Sequence, residues 1–176
     1  PTRDEQKYLL NPGPATTTDS VKKAQIIPDI CPRELGFAQV MKDCVEMLKL
    51  LASKQANQIV AALIPGSGTA AVESMLSSAV TDQDTCLIID QGAYGKRMQA
   101  IAKAHQLNHQ VYRPDPLNPL DLNALEGEIK KSKCTHLAIV HHETSTGLLN
   151  NLVDIAPLVR RYNLTCCVDA MSSFGA

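Results

Sequence analysis

Cys86-Leu87-Ile88-Ile89-Asp90-Gln91-Gly92-Ala93-Tyr94-Gly95-Lys96-Arg97 is the stretch that decides the fold. Cys86-Leu87-Ile88-Ile89 is a short unbroken apolar run with no alternation, so it reads as a strand buried on both faces. Gly92-Ala93-Tyr94-Gly95 breaks it, and helical spacing resumes from Lys96 to His105. The same unit recurs on either side. Upstream, Ile59-Val60-Ala61-Ala62-Leu63-Ile64 reads as another buried strand, broken by Gly66-Ser67-Gly68-Thr69 and followed by a helix over Ala70 to Val80. Downstream, Val111-Tyr112 lies in a weaker strand, and Pro114, Pro116 and Pro119 mark a loop before a helix from Asp121 to Lys131. His136 to Val140 is the next strand. A helix around Leu152 to Tyr162, with Pro157 inside it, and a last strand at Thr165-Cys166-Cys167-Val168 follow. Strands and helices alternate, and the strands are apolar throughout. This predicts an α/β fold: a mostly parallel sheet with helices on both faces and right-handed connections.

Residues 1–35 read differently. They are rich in Pro and Thr, as in Asn11-Pro12-Gly13-Pro14-Ala15-Thr16-Thr17-Thr18, and read as an extended arm with a short helix after Asp19 or Ser20. From Glu34 to Lys54, Phe37, Val40, Met41, Cys44, Val45, Leu48 and Leu51 fall at helical spacing and predict one buried face. The expected organisation is an N-terminal arm over 1–35 and the sheet-bearing domain over 36–176. The chain closes on Ser172-Ser173-Phe174-Gly175-Ala176, just after a strand. A parallel sheet rarely stops there, so a further strand–helix unit is expected beyond it.

The 176 residues carry a formal net charge of −1 and no block of like charge, which calls for neither nucleic acid nor an anionic membrane as partner. No apolar run is long enough to span a bilayer, and the start, Pro1 to Lys7, is too charged for a signal peptide. The six cysteines form no C-x-x-C pair. They read as reduced, packed thiols, which suits the cytoplasm.

In such a sheet, ligands bind beyond the C-terminal strand ends, and four loops leave those ends with chemistry. Pro65-Gly66-Ser67-Gly68-Thr69 combines glycines that admit a ligand close to the backbone with a helix start that favours a phosphate. It serves equally as a tight turn with a Ser cap, and it matches neither the Walker pattern nor G-x-G-x-x-G. In Gly92-Ala93-Tyr94-Gly95 the Tyr ring can lie against a flat ligand, or it can simply be half-buried in a turn. His141-His142-Glu143-Thr144-Ser145-Thr146-Gly147 invites a metal, but adjacent histidines of a strand point to opposite faces and no H-E-x-x-H spacing is present; a polar loop lining a cavity is the better reading, with no metal. In Val168-Asp169-Ala170-Met171-Ser172-Ser173, a carboxyl at the end of a buried strand needs a cationic partner, from the protein or from a ligand nitrogen. Otherwise Asp169 caps the next helix.

Taken together, Gly66-Ser-Gly-Thr-Ala-Ala-Val-Glu, Gly92-Ala-Tyr-Gly-Lys-Arg, His142-Glu-Thr-Ser-Thr-Gly and Val168-Asp-Ala-Met-Ser-Ser-Phe-Gly resemble, in order and spacing, the class V group of fold-type I aminotransferases. The resemblance runs from Tyr8 to the last residue. It implies pyridoxal 5'-phosphate as cofactor and this chain as part of the large domain. It gives Gly66, Ser67, Gly68 and Thr69 the phosphate, Tyr94 the stack on the pyridine ring, and Thr144 the neighbourhood of the phenolic oxygen. Asp169 would pair with the ring nitrogen, and Met171 is counted with the cofactor-binding set. Such an Asp keeps the nitrogen protonated, so the ring can accept electrons. Asn11-Pro-Gly-Pro-Ala-Thr-Thr-Thr, Pro28-Asp-Ile-Cys-Pro-Arg-Glu and Asp169-Ala-Met-Ser-Ser-Phe-Gly narrow the resemblance to members that move an amino group from 2-aminoethylphosphonate to pyruvate. Thr17 and Arg33 would then line the substrate side, Arg33 suiting a phosphonate. Homodimers are implied too. The family's covalent lysine follows the Asp motif and is not among these residues, nor are the small domain and the usual carboxylate-binding Arg, so the 176 residues alone are expected not to transaminate. Other class V transaminases of the alanine– or serine–glyoxylate type, a non-catalytic module and a nucleotide-binding domain are the competing readings.

Overall fold

The order of elements in a computed structural model of the chain follows the predicted alternation, apart from a hairpin between the strand His136–Val140 and the helix Leu152–Arg161 and two further exceptions. The structure describes residues 8–11 and 13–175. The charged start Pro1 to Lys7, Pro12 in the arm and Ala176 lie outside the described residues. The chain forms two units, residues 1–63 with 174–176, and residues 64–173. The expected boundary at 35/36 differs from this division, because the long helix and the run after it group with the arm.

In the first unit, α1 spans Asp19–Ala24, with Thr18 as N-cap and its Oγ1 accepting from the Val21 N–H at 3.5 Å. Helix α2 spans Leu35–Ala52, close to the predicted range. Its expected buried face is not buried: Phe37, Met41, Val45 and Leu48 form a half-covered stripe, and Val40, Cys44 and Leu51 are exposed. The spacing is right for a helix, but among the described residues nothing in the unit covers that face fully.

The second unit holds the sheet. Helix α3 spans Gly68–Ala79, β1 Cys86–Ile89, α4 Ala93–Ala104 and β2 His109–Tyr112. Helix α5 spans Leu122–Ser132, β3 His136–Val140, α6 Leu152–Arg161 and β6 Thr165–Asp169; between β3 and α6 lie β4, His142–Glu143, and β5, Leu148–Leu149. The main sheet is parallel, in the order β2-β1-β3-β6. Every residue of β1 and β3 is buried. Their outward pleats feed two cores. Cys86, Ile88, Ala138, Val140 and Cys167 pack with Val72, Leu76 and Val80 of α3 and its end, and with Met98, Ile101 and Ala102 of α4. Leu87, Ile89, Leu137 and Ile139 pack with Leu125 and Ile129 of α5 and Ile155 and Leu158 of α6. Helices therefore cover both faces, as the unbroken apolar strands require.

The first exception is Ile59 to Ile64, which forms no strand among the described residues. Val60 is 94% exposed, and Leu63 and Ile64 also face solvent. An apolar run becomes a strand only when a neighbour takes up its N–H and C=O groups, and no ladder in the sheet does so. The second exception is the start of α4 at Ala93 rather than Lys96, which places Tyr94 in the first turn of the helix. Its cause is a cap supplied from fifty residues away.

Candidate cofactor site

The site lies beyond the C-terminal ends of β1, β3 and β6. Register pairs Val140 with Asp169, so the chain leaves β3 and β6 side by side, and the His141 N–H donates to the Asp169 carbonyl at 2.8 Å. Asp169 Oδ1 accepts from the Met171 N–H at 3.1 Å, folding the next residues into a tight turn. Two serines tie that turn down: the Ser173 hydroxyl lies 2.8 Å from His141 Nδ1, and Ser172 Oγ donates to the His142 carbonyl at 3.0 Å. Asp169 is half-buried and pairs with no lysine or arginine among the described residues; its contact with the Met171 N–H is the local capping one.

Beside it, α3 begins. Gly66 makes the turn, and a Cβ there would stand 3.0 Å from that of Ala70. Ser67 is the N-cap, its Oγ accepting from the Ala70 N–H at 3.4 Å. The N–H groups of Gly68 and Thr69 have no acceptor within the helix, since they belong to its first turn. Between this start and β6 lies a cleft of about 150 Å³, lined by Gly68, Ala71, Val72 and Met75 of α3 and by Val168 through Met171. Gly68 lies against Met171: a Cβ there would stand 2.8 Å from Met171 Sδ, so that the Met side chain would have to move aside. The cleft thus has a mostly apolar wall, a helix start at one end and a carboxyl at the other.

The start of α4 is built the opposite way. Glu143 is fully buried. Its Oε2 accepts from the N–H groups of Tyr94 and Gly95 at 3.1 and 3.2 Å, while Oε1 accepts from the Ser145 N–H and hydroxyl. Ser145 Oγ in turn accepts from the Ala93 N–H at 2.9 Å. An anion already fills this helix start, as the dipole favours. Gly92 is glycine because a side chain there would collide with Glu143 and Ser145. Gly95 is glycine because a Cβ would stand 2.8 Å from Asp90 Cα. Of two neighbouring helix starts, one is closed from within and one is open to a ligand.

The structure brings Gly68, Asp169 and Met171 into one cleft, with Ser67 and Thr69 at its helical end. Tyr94 is half-buried against the α3–α4 core. It is joined to the glycine turn before α3 by Arg97, whose Nη1 donates to Thr69 Oγ1 at 3.1 Å and whose guanidinium carbon lies 5.0 Å from the Tyr94 ring centroid. Thr144 sits half-buried in the turn between β4 and β5 and does not line the cleft. That segment, read as a loop, is a hairpin, with His142 and Glu143 pairing Leu149 and Leu148 and Gly147 at φ +79° in the turn. Thr17 and Arg33 are exposed and belong to the first unit. No cluster of metal-binding side chains occurs among the described residues. Sequence reasoning passed over Arg97 and the capping role of Glu143. The signal for Arg97 was its i,i+3 spacing from Tyr94, hidden because the helix was started at Lys96.

The class-V aminotransferase family matches residues 38–176. A 2-aminoethylphosphonate–pyruvate transaminase of Phocaeicola vulgatus is 37% identical over 169 residues, 95% of this chain and 46% of that protein. One of Bacillus cereus is 36% identical over 174 residues, 98% of this chain and 47% of its own. Among solved structures, the alanine–glyoxylate aminotransferase of Nostoc superposes with a TM-score of 0.86 at 26% identity, covering all of this chain and 46% of that one. The ureidoglycine–glyoxylate aminotransferase of Bacillus subtilis gives 0.84 at 27%, over 99% and 45% of the two chains. The chain spans about half the length of the curated relatives it matches. It belongs to the class-V aminotransferase family, and its cofactor is pyridoxal 5'-phosphate. The cleft fits that molecule: the open helix start suits a phosphate, the apolar wall a flat ring, and the unpaired carboxyl of Asp169 a protonated ring nitrogen.

Proposed function

We propose that this chain is the cofactor-cradling part of an enzyme that transfers the amino group of 2-aminoethylphosphonate to pyruvate, yielding phosphonoacetaldehyde and alanine. The observation that carries the reading is the single cleft with opposite chemical demands at its two ends, in a chain 36–37% identical to transaminases of that name. Ser67, Gly68 and Thr69 bind the phosphate through their N–H and hydroxyl groups. Met171 and the α3 wall would hold the flat ring of the cofactor, while Tyr94 and Thr144, which lie outside the lining of the cleft, would serve it from the start of α4 and from the β4–β5 turn. Asp169 would pair with the ring nitrogen and favour its protonated form. When bound, the cofactor supplies the electron sink that lets the substrate carbon give up its proton. Thr17 and Arg33 are proposed to serve the phosphonate. No lysine lines the cleft, so the 176 residues by themselves are proposed to bind without turning over.

The enzyme is proposed to be a cytoplasmic homodimer. The six free thiols support the compartment, and exposed apolar side chains on α2, among them Leu35, Met47 and Leu50, support association. Among the described residues no helix is long and apolar enough to cross a membrane.

An amino-donor screen on the whole enzyme bearing this sequence, with pyruvate as acceptor, tests the reaction. The expected result is alanine formation that is fastest with 2-aminoethylphosphonate. Turnover only with alanine or serine and glyoxylate would assign it to the other class V transaminases.

A further inference from the structure

We infer that Arg97 is a phosphoryl-binding residue: it supplies the cation that the open start of α3 lacks, and the cofactor phosphate is its partner. This rests on the cradle reading above and adds to it a residue outside the glycine turn.

The charge balance shows why a cation is needed. A phosphate monoester carries about −1.5 to −2 at neutral pH, whereas a helix start offers roughly +0.5. The hydroxyls of Ser67 and Thr69 donate hydrogen bonds but no charge. Most of the anion is left uncompensated unless a cation stands at the same place.

Arg97 stands there. It lies one turn beyond Tyr94 on the same side of α4, and its guanidinium is held in two directions, by the ring at 5.0 Å and by Thr69 Oγ1 at 3.1 Å. Its contact at the turn is therefore a neutral hydroxyl, and no ion pair engages it among the described residues. By contrast, Arg113 is spent on the buried Asp90 at 3.2 Å, and Arg161 on Glu126 at 3.1 Å. A guanidinium has five N–H donors. One is used on Thr69, which leaves the planar fork available for a phosphoryl oxygen pair. A purely structural Arg would be worth the ring contact, about 0.5–1 kcal/mol when exposed, and one hydrogen bond to a neutral hydroxyl, and would weaken ligands with and without a phosphate alike.

The test uses the 176-residue chain and three probes that cannot react with surface lysines: pyridoxamine 5'-phosphate, pyridoxamine and inorganic phosphate. Affinities are read by calorimetry and by amide shifts of Gly68 and Thr69. Arg97 is exposed, so Arg97→Met should fold, which a melting curve checks; Arg97→Lys keeps the charge without the fork. Arg97→Met should weaken pyridoxamine 5'-phosphate and phosphate about tenfold, about 1.4 kcal/mol, and leave pyridoxamine unchanged. Arg97→Lys should recover part of the loss. Equal weakening of pyridoxamine and its phosphate, or no change in either phosphorylated probe, would overturn the inference. If the unsubstituted chain binds phosphate through Arg97 but pyridoxamine 5'-phosphate no more tightly, the ring cradle fails and the phosphoryl role of Arg97 stands. If it binds neither, both fail.

Discussion

Replacing Glu143 with Ala is expected to destabilise the second unit by about 3–5 kcal/mol, the cost of leaving several buried donors without their acceptor. Four donors converge on this side chain: the N–H groups of Tyr94, Gly95 and Ser145, and the Ser145 hydroxyl. Without it, three backbone N–H groups around a fully buried position lose their acceptor, each at about 1–3 kcal/mol, partly offset where water enters. The start of α4 also loses the anion that its dipole favours. For a chain of this size the melting temperature should fall by roughly 10 °C or more. The control is Glu128→Ala on α5, where a half-exposed Glu128 pairs with Lys131 at 3.3 Å and the change should stay within about 0.5 kcal/mol. A thermal melt of both variants decides it; equal melting temperatures would remove Glu143 from the fold's supports. Because Tyr94 and Arg97 ride on the same turn, Glu143→Ala should loosen ligand binding as well.

Asp169→Ala is expected to weaken pyridoxamine 5'-phosphate by about 100-fold, since losing one side of a buried, hydrogen-bonded charge pair costs about 2–5 kcal/mol. Part of the change would be local, because Asp169 Oδ1 also accepts from the Met171 N–H at 3.1 Å. Asp169→Asn separates the two roles. Its amide oxygen can still accept from Met171, but it carries no charge for the ring nitrogen. The carboxylate should raise the pKa of a ring nitrogen beside it. The bound ligand's absorbance should therefore hold its protonated form to higher pH in the original chain than in Asp169→Asn. Asp169→Asn binding with unchanged affinity and an unchanged pH profile would show that the carboxyl serves the turn alone.

How much of this could be read in the sequence follows from where each determinant lies. Strands β1 and β3 were legible because burial on both faces leaves an unbroken apolar run, as in Leu137-Ala138-Ile139-Val140, bounded by polar residues. The cap of α3 was legible, since Ser67 acts on a residue three positions on; Thr18, Asp121 and Asn151 cap α1, α5 and α6 in the same local way. Ile59 to Ile64 misled for a physical reason: composition reports that a segment can be buried, while a strand also requires a ladder partner, and the sheet supplies none. The start of α4 misled because its cap comes from Glu143, which no local window contains. The same remoteness hid Arg97, whose meaning depends on Thr69 lying 28 positions earlier. The phosphate turn and Asp169 could be singled out as residues that demand a partner. That the two demands face one cleft is a property of strand order, which brings the end of β6 beside α3.

The most direct measurement is a titration of the 176-residue chain with pyridoxamine 5'-phosphate, followed residue by residue by amide chemical shifts. One ligand per chain should bind, and Gly68 and Thr69 should shift together with Asp169 and Met171 along a single isotherm. Pyridoxamine, lacking the phosphate, should move the Asp169 end and leave the Gly68 end nearly still. If saturating ligand moved only one end of the cleft, or neither, these loops would not form one cofactor cradle.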